Sequence, residues 1–568
     1  MVLHFTSATH EFSEERKVIS GEAMRTRNRL LFLGTAVATA LGSGVTGVAT
    51  QAATASVPLW VTHVTNYPGG ITAGVRAYAS PAVAQAQATY AKAALVAGTS
   101  SSSSGGLHNV QMDTNTNPPL PQNETNVAVS LTNPNIAVAG SNDYVSGGVT
   151  VMYTSDGGKK WGTIRVNPQF DGNGDYCSGG DPWFAYSLRD KAFYFVQLCF
   201  FRANAVSEVQ LYKSIDNGHT WTPGRQSGLV ASNWNYTTHT LDSSIFHDNN
   251  QVTVDNNPTS PHYGRLYVTH VKFHILPSGF SDYCPVQLDY TDSVPTSNPR
   301  LTVFQHTNVV PDNPGGNGLG PSGNQWARPQ VQSNGTLDIA YALEDCNSGL
   351  DTHFDMQKSA DGGATFLASP VQIDHTGDYV DNPDTGDVLP PTKFRAPDST
   401  GFWFNAATGK LGFDYQNNRD RATSGANISF EQSSDGGLTW SPMLYISVTP
   451  GGLPAPNDQF FPSLTSLADG RWVAIWYDRR NDPSNTRIET FQSISKDGIQ
   501  WPNQDISTTS WDPNLGFFKS GSFIGDYIGV NASTTHIYPT WADGRTTQIA
   551  VTGIGNTDIF TNVEVVKK

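Results

Sequence analysis

The chain of 568 residues is long enough for several ordinary domains or for one large repeat-built domain. Charged residues make up only 15%, with 54 Gly, 34 Pro and 11% aromatics, the profile of many short strands joined by turns and not of a helical bundle. A formal charge of −15 without a basic block in the body of the chain leaves no electrostatic footprint for a nucleic-acid partner.

In chain order, residues 1–55 read as a signal-peptide region. A short basic segment beginning at Met24 runs into a stretch rich in Leu, Ala and Val and ends at Ala53-Thr54-Ala55, a small-x-small cleavage pattern. Met24 is the alternative start. Glycines interrupt the apolar stretch, which argues against an anchoring helix, and no later segment is apolar enough to span a bilayer. An exported chain with no membrane span in its mature form is expected, acting as a monomer. Residues 56–107 follow as a spacer. "SPAVAQAQATYAKAALVAG" reads as one Ala-rich helix with Ser80 as N-cap, Pro81 in the first turn and Gly98 as terminator, and "TSSSSSGG" as a flexible linker. No chemistry is expected of this region.

From residue 108 to 568 the chain repeats itself. "TSDGGKKW" (154–161), "SIDNGHTW" (214–221), "SADGGATF" (359–366), "SSDGGLTW" (433–440) and the shortened "SKDGIQW" (495–501) are relatives of one Ser-x-Asp-x-Gly unit, the first with Ser-Asp and no intervening residue, and the long gap after the second has room for a unit without one. Short strands with polar starts begin near Glu124, Asp181, Gln251, Arg328, Arg395, Phe461 and Gly525, each followed by an apolar partner strand. Seven such pairs, six of them extendable to four strands, predict an all-β, seven-bladed β-propeller, with a six-bladed ring plus an appended sheet as the competing count. The last unit is one strand short, and "HNVQM" before Glu124 is placed to supply it and close the ring.

Four cysteines allow three pairings and suit an exported protein. Cys177 with Cys199 is favoured because the two flank one predicted strand pair. No C-x-x-C or H-x-x-x-H spacing supports a metal site. "DGNGDY" places Asp171, Asn173 and Asp175 in alternation like the start of a calcium loop, but Tyr176 stands where the loop needs Gly and no Glu follows, so a plain turn is the stronger reading and no cofactor is expected.

Each residue of the Ser-x-Asp-x-Gly unit has a task in a hairpin turn. The Asp accepts backbone N–H groups, the Gly supplies a positive φ and the Trp wedges between sheets. Copies spread around a ring cannot converge on one substrate, so these units are fasteners. They resemble the Asp-box (BNR) repeats of the sialidase-like propellers, and the resemblance covers nearly everything from residue 124 onward. It implies a propeller whose ligand face lies opposite the boxes, where first strands begin and second strands end. There the sequence gathers Glu124, Asp181, Arg328, Arg395, Asp526 and Tyr527 from strand starts, and Asp143, Glu344, Asp345, Arg419, Asp420, Asp478, Arg479, Arg480, Asp543 and Arg545 from strand ends. Paired acids suit glycosidic cleavage, and arginines grip carboxylates. By resemblance to sialidases, Tyr527 is the expected nucleophile, assisted by Glu344 or Glu124, with Asp181 as acid. Arg328 and Arg395 are expected on a substrate carboxylate, with Arg545 or Arg479 as the third arginine. The implied function is glycoside hydrolysis on an extracellular glycan or glycoprotein, most simply release of a terminal sialic acid. A non-catalytic propeller binding glycan or protein is the alternative.

Overall fold

A computed structural model describes residues 57–566 except 86–107, 115–118, 171–174, 223–227, 296–300, 320–322, 383–387, 390–393, 516–522, 548–554 and positions 68 and 82. The expected signal segment, the linker, most of the expected Ala-rich helix and all but the end of "DGNGDY" lie outside the described residues.

Seven antiparallel sheets form the blades of a propeller. The inner strands are Gln122–Val129, Trp183–Ser187, Ile245–Val254, Asn324–Val331, Thr400–Asn405, Gln459–Ser466 and Gly529–Ala532, for blades 1 to 7 in turn. Second strands are buried along nearly their whole length, as in Ala192–Phe200 and Trp472–Asp478. That burial explains their continuous apolar runs, because both faces of each sheet are covered by neighbours. Val110–Gln111 pairs with Asp558–Thr561 and supplies the outer strand of blade 7, so the ring closes with a strand from upstream of blade 1. Closure gives blade 7 its outer strand and links the last blade to the chain ahead of the first.

All five Ser-x-Asp turns join the third and fourth strands of their blades, and blade 3 is the interior unit without one. In the turn at Ser433, the Gly437 N–H donates to Ser433 Oγ at 2.8 Å and the Leu438 and Thr439 N–H groups donate to Asp435 Oδ1, both at 3.0 Å. These bonds hold the Asp435 carboxyl well below the usual carboxylate range, the hydroxyl and N–H of Thr439 contributing most. Asp361 is pulled down to about 2 by Thr365 in the same way. Carboxylates this acidic cannot carry a proton near neutral pH, which excludes them from acid–base work. Trp501 of blade 6 packs edge-on to Phe430 of blade 5, ring centroids 4.9 Å apart. Trp501→Ala is expected to cost about 3–5 kcal/mol in equilibrium denaturation; a loss under about 1 kcal/mol would mean that this ring does not wedge the blades together.

Cys177 is bonded to Cys199, as favoured, and Cys284 to Cys346, which ties blade 3 to the end of the second strand of blade 4. No helix among the described residues is long and apolar enough to cross a membrane.

The segment read as an inert spacer differs from expectation. It forms two short helices, Leu59–Asn66 and Ala73–Tyr78, upstream of the expected Ser80 start. Trp60, Val64, Ile71, Val75 and Tyr78 are buried in one cluster with the strands of blades 2 and 3. Helices this short are not stable alone; packing on the propeller makes them.

Candidate functional site

The inner strands share one local distortion. Glu124, Asp181, Asn249, Trp326 and Phe461 all have φ between 50° and 57°, and Gly525 occupies the matching place in blade 7 with φ 89°. In blades 1, 3, 4 and 6 the pairing register slips at this point, the signature of a bulge. Left-handed backbone costs a non-glycine residue about 1–3 kcal/mol, and such outliers gather at functional sites. Here the distortion falls in or just before the inner strand, with Glu124 and Asp181 among the residues it orients. Gly525 needs to be glycine for a second reason, because a Cβ there would lie 2.8 Å from Glu124 Cγ and 2.9 Å from its backbone nitrogen.

Four carboxylates meet at the mouth: Glu124, Asp181, Asp248 and Asp526, all fully buried. Glu124 and Asp181 act on each other directly, side chain to side chain. Burial, then the charges of Asp181 and Asp526, push Glu124 well above the usual carboxylate range. Asp181 is raised by burial to about 6, with hydrogen bonds from Glu124 and Thr72 holding it down. Asp248 is raised well above its ordinary value by burial and then by Asp181. Asn142 fixes the geometry: its amide nitrogen donates to Glu124, and its oxygen accepts the Asp181 N–H at 2.8 Å.

Tyr527 lies 5.6 Å from Trp183, ring to ring, and its hydroxyl is pushed well above 10, first by burial, then by Asp181 and Glu124, with Arg328 opposing. The Arg328 guanidinium stacks over Trp183 at 4.4 Å. It is 4% exposed, and its Nε and Nη1 have no hydrogen-bond partner. Burial lowers it to about 10, against the pull of Tyr527 and Asp414. Arg395 Nη1 sits 3.6 Å from Asp526. Behind the mouth the channel widens into a cavity of about 160 Å³, to which each blade contributes an inner-strand residue such as Asn126, Trp183, Gln251, Arg328, Thr400, Ser463 and Val530.

Of the residues expected from sequence, Tyr527, Asp181, Glu124 and Arg328 are thus brought into mutual electrostatic reach, with Arg395 joined through Asp526. Arg395 reaches the mouth from a two-stranded ribbon, Val388–Leu389 with Phe394–Arg395, and not from the inner strand of blade 5, which starts at Thr400. Glu344 accepts the Trp326 indole N–H at 3.0 Å, while Glu124 is one of the main groups raising Tyr527. Arg479 pairs with Asp458 at 3.4 Å beneath the ring of Phe460. Arg545 pairs with Asp543 at 2.5 Å and stacks on Phe560, while Arg480 pairs with Asp478 at 2.6 Å and stacks on Phe491. In both latter blades a Trp indole donates to the same Asp, from Trp476 and Trp541, so "WYDRR" and "WADGR" are one repeated structural unit. Asp248, Asn142 and Asp414 were not expected from sequence. The polar run "HDNNQ", which ends at Gln251, is the signal that could have exposed Asp248.

The mouth is covered by the chain itself. The Thr72 hydroxyl lies 2.9 Å from both Asp181 Oδ2 and Asp248 Oδ1, and its N–H donates to Asp248 Oδ2 at 2.7 Å. One hydroxyl hydrogen cannot serve two carboxylates, so a protonated carboxyl must donate back. Arg395 Nη1 donates to the Ile71 carbonyl at 2.8 Å and Gln325 Nε2 to the Gly70 carbonyl at 2.5 Å.

A separate acidic group could hold a cation: Asp351, Asp381 and Asp398 offer oxygens within 4.8 Å of one another. These oxygens already accept the Asp351 N–H at 2.9 Å and the Tyr379 hydroxyl at 2.6 Å.

No family model matches the chain, and no curated protein does. Similar solved structures include a protein of unknown function from Dyadobacter fermentans DSM 18053, 13% identical over 71% of this chain and 97% of that one, TM-score 0.41. The Hadza microbial sialidase Hz136 is 12% identical over 76% of this chain and 73% of its own, TM-score 0.40. A thermostable family-43 glycoside hydrolase is 14% identical over 58% of this chain and 95% of its own, TM-score 0.32. Identity this low, with every TM-score under 0.5, carries nothing about activity.

Proposed function

We propose that this chain is an exported glycoside hydrolase of sialidase-like type, releasing a terminal acidic sugar from extracellular glycans. The carrying observation is the Glu124–Asp181 carboxyl pair, buried in the channel mouth beside Tyr527 and Arg328. A carboxyl raised to about 6 can protonate a leaving oxygen near neutral pH, which an ordinary Asp cannot. In this reading Asp181 is the acid and Tyr527 the nucleophile, with Glu124 as its partner, which can take the phenol proton only in its ionised form because burial raises it too. Arg328 and Arg395 hold the sugar carboxylate, Arg328 with donors to spare. The five Ser-x-Asp turns of the ring support the Asp-box kinship, and the two disulfides support an oxidising, extracytoplasmic setting.

A second reading, a non-catalytic propeller that binds glycan or protein, draws on the Thr72 hydroxyl held by Asp181 and Asp248, since carboxylates can grip hydroxyls without cleaving anything. The two part in one assay. Intact protein and the Thr72→Val variant are given a fluorogenic sialoside and a panel of neutral glycosides. Selective turnover of the sialoside is expected; no turnover on any substrate, together with measurable glycan binding, would leave the binding propeller.

A further inference from the structure

The contacts of residues 69–75 differ in kind from those of a structural strap. The tip "GGITAGV" lies at the mouth with its polar groups on the groups that the proposed reaction would use. Thr72 presents a hydroxyl to Asp181 and Asp248, and the Ile71 carbonyl presents an oxygen to Arg395. Gly74 is flush with the acid pair, so that a Cβ there would stand 2.6 Å from Glu124 Oε2 and 3.0 Å from Asp181 Oδ1. Gly69 and Gly70 are pressed against the backbone of 346–349, where a Cβ would come within 1.8 Å of the Gly349 nitrogen and 2.1 Å of the Cys346 carbonyl oxygen. The Gly69 N–H donates to the Asn347 carbonyl at 3.0 Å. Helices on both sides of the tip anchor it: in the first, Trp60 donates to the Phe201 carbonyl at 3.2 Å and the His63 ring lies 2.9 Å from the Gly279 carbonyl, and in the second the Tyr78 hydroxyl donates to the Asp143 carbonyl at 3.3 Å. Ring closure does not depend on any of this, because the closing strand Val110–Gln111 lies downstream of the segment.

We propose that residues 57–80 are a tethered plug: the tip occupies the site as a pseudo-ligand, and the chain is latent until the plug is displaced by a ligand offering the same pattern. That pattern is a hydroxyl for Asp181 and Asp248 and an oxygen acceptor for Arg395. A sugar bearing a carboxylate satisfies both, and its charged oxygen makes a stronger bond to the guanidinium than the neutral Ile71 carbonyl does. The naming of an acidic sugar rests on the function proposed above; the plug itself does not.

The test uses the full chain and reads the mouth directly. Hydrogen–deuterium exchange is followed by mass spectrometry in peptides spanning 59–78, with the inner strand Gln122–Val129 as internal control. Thr72→Val removes one hydroxyl at nearly constant volume, and Gly74→Leu forces a side chain against the acid pair. Both variants are expected to exchange at least about tenfold faster in 59–78 while the control strand stays protected. Unchanged protection in both variants, or equal loss in the control strand, would overturn the plug, the second outcome by showing that the segment is integral to the ring. Millimolar N-acetylneuraminic acid added to the unaltered chain is expected to speed exchange in 59–78, with glucose without effect. Opening in the variants but not with the acidic sugar would keep the plug and overturn the acidic-sugar assignment, so the two failures are distinguishable.

Discussion

Asp181→Asn, made in the Thr72→Val background, is expected to lower kcat on a sialoside with a poor leaving group by about 10²–10⁴-fold. On an aryl sialoside whose phenol leaves without protonation, the loss should be much smaller, because only the acid's contribution is removed. The pH profile gives the sign. An acid raised to about 6 is protonated below that pH, so activity in the parent should fall as pH rises through about 6, and the substitution should flatten that limb. Stability should move the same way with pH. A carboxyl with a raised folded-state pKa contributes stability that is fully present below about 4 and is lost as pH rises through about 6. A neutral Asn does not carry that loss, so the variant should melt no lower than its parent at pH 7.5. A kcat within threefold of the parent on the poor leaving group would remove Asp181 from the acid role.

A large effect on stability is also expected from the Cys284–Cys346 bond. It closes a separation of 62 residues, and constraint of the unfolded chain over that length corresponds to about 4 kcal/mol. Cys177–Cys199 closes only 22 residues and should be worth about 3 kcal/mol. Paired Cys→Ser variants, compared by chemical denaturation under non-reducing conditions, should fall in that order. The first variant should also loosen the plug, because Gly70 is seated on the Cys346 carbonyl and Gly69 on that of Asn347. Faster exchange in 69–75 is expected for the 284/346 variant and not for the 177/199 variant; the reverse order in either measurement would contradict this account.

Much of the ring was legible because blades impose a rhythm that sequence carries. The strand starts placed at Glu124, Asp181, Phe461 and Gly525 fall on the positive-φ residues that precede or interrupt the inner strands of their blades. "HNVQM" could be placed because one strand was missing and one was left over. The functional geometry was less legible where the chain leaves that rhythm. Arg395 reaches the mouth from an inserted ribbon, and Asp248 lies three residues ahead of the point where alternation becomes visible. Arg479 and Arg545 have the residue type that grips an anion, but each has a carboxylate already in hand, Asp458 and Asp543. The two plug helices span eight and six residues, too short for apolar periodicity to stand out from a linker.

Closure by Val110–Gln111 has a consequence for the order of events during synthesis. The strand is made before any blade, yet its partner Thr561 is among the last residues of the chain. At about 5–20 residues per second, roughly half a minute to a minute and a half separates the two. Throughout that interval blades 1 to 6 can form one after another, while Val110–Gln111 is without its partner and is free to pair with a second nascent chain. The final step joins the most distant segments in the molecule and is therefore slow for its size, as high contact order dictates. A chaperone or a dilute compartment would matter most at that moment, and truncation near the C-terminus should yield aggregates in place of a smaller propeller.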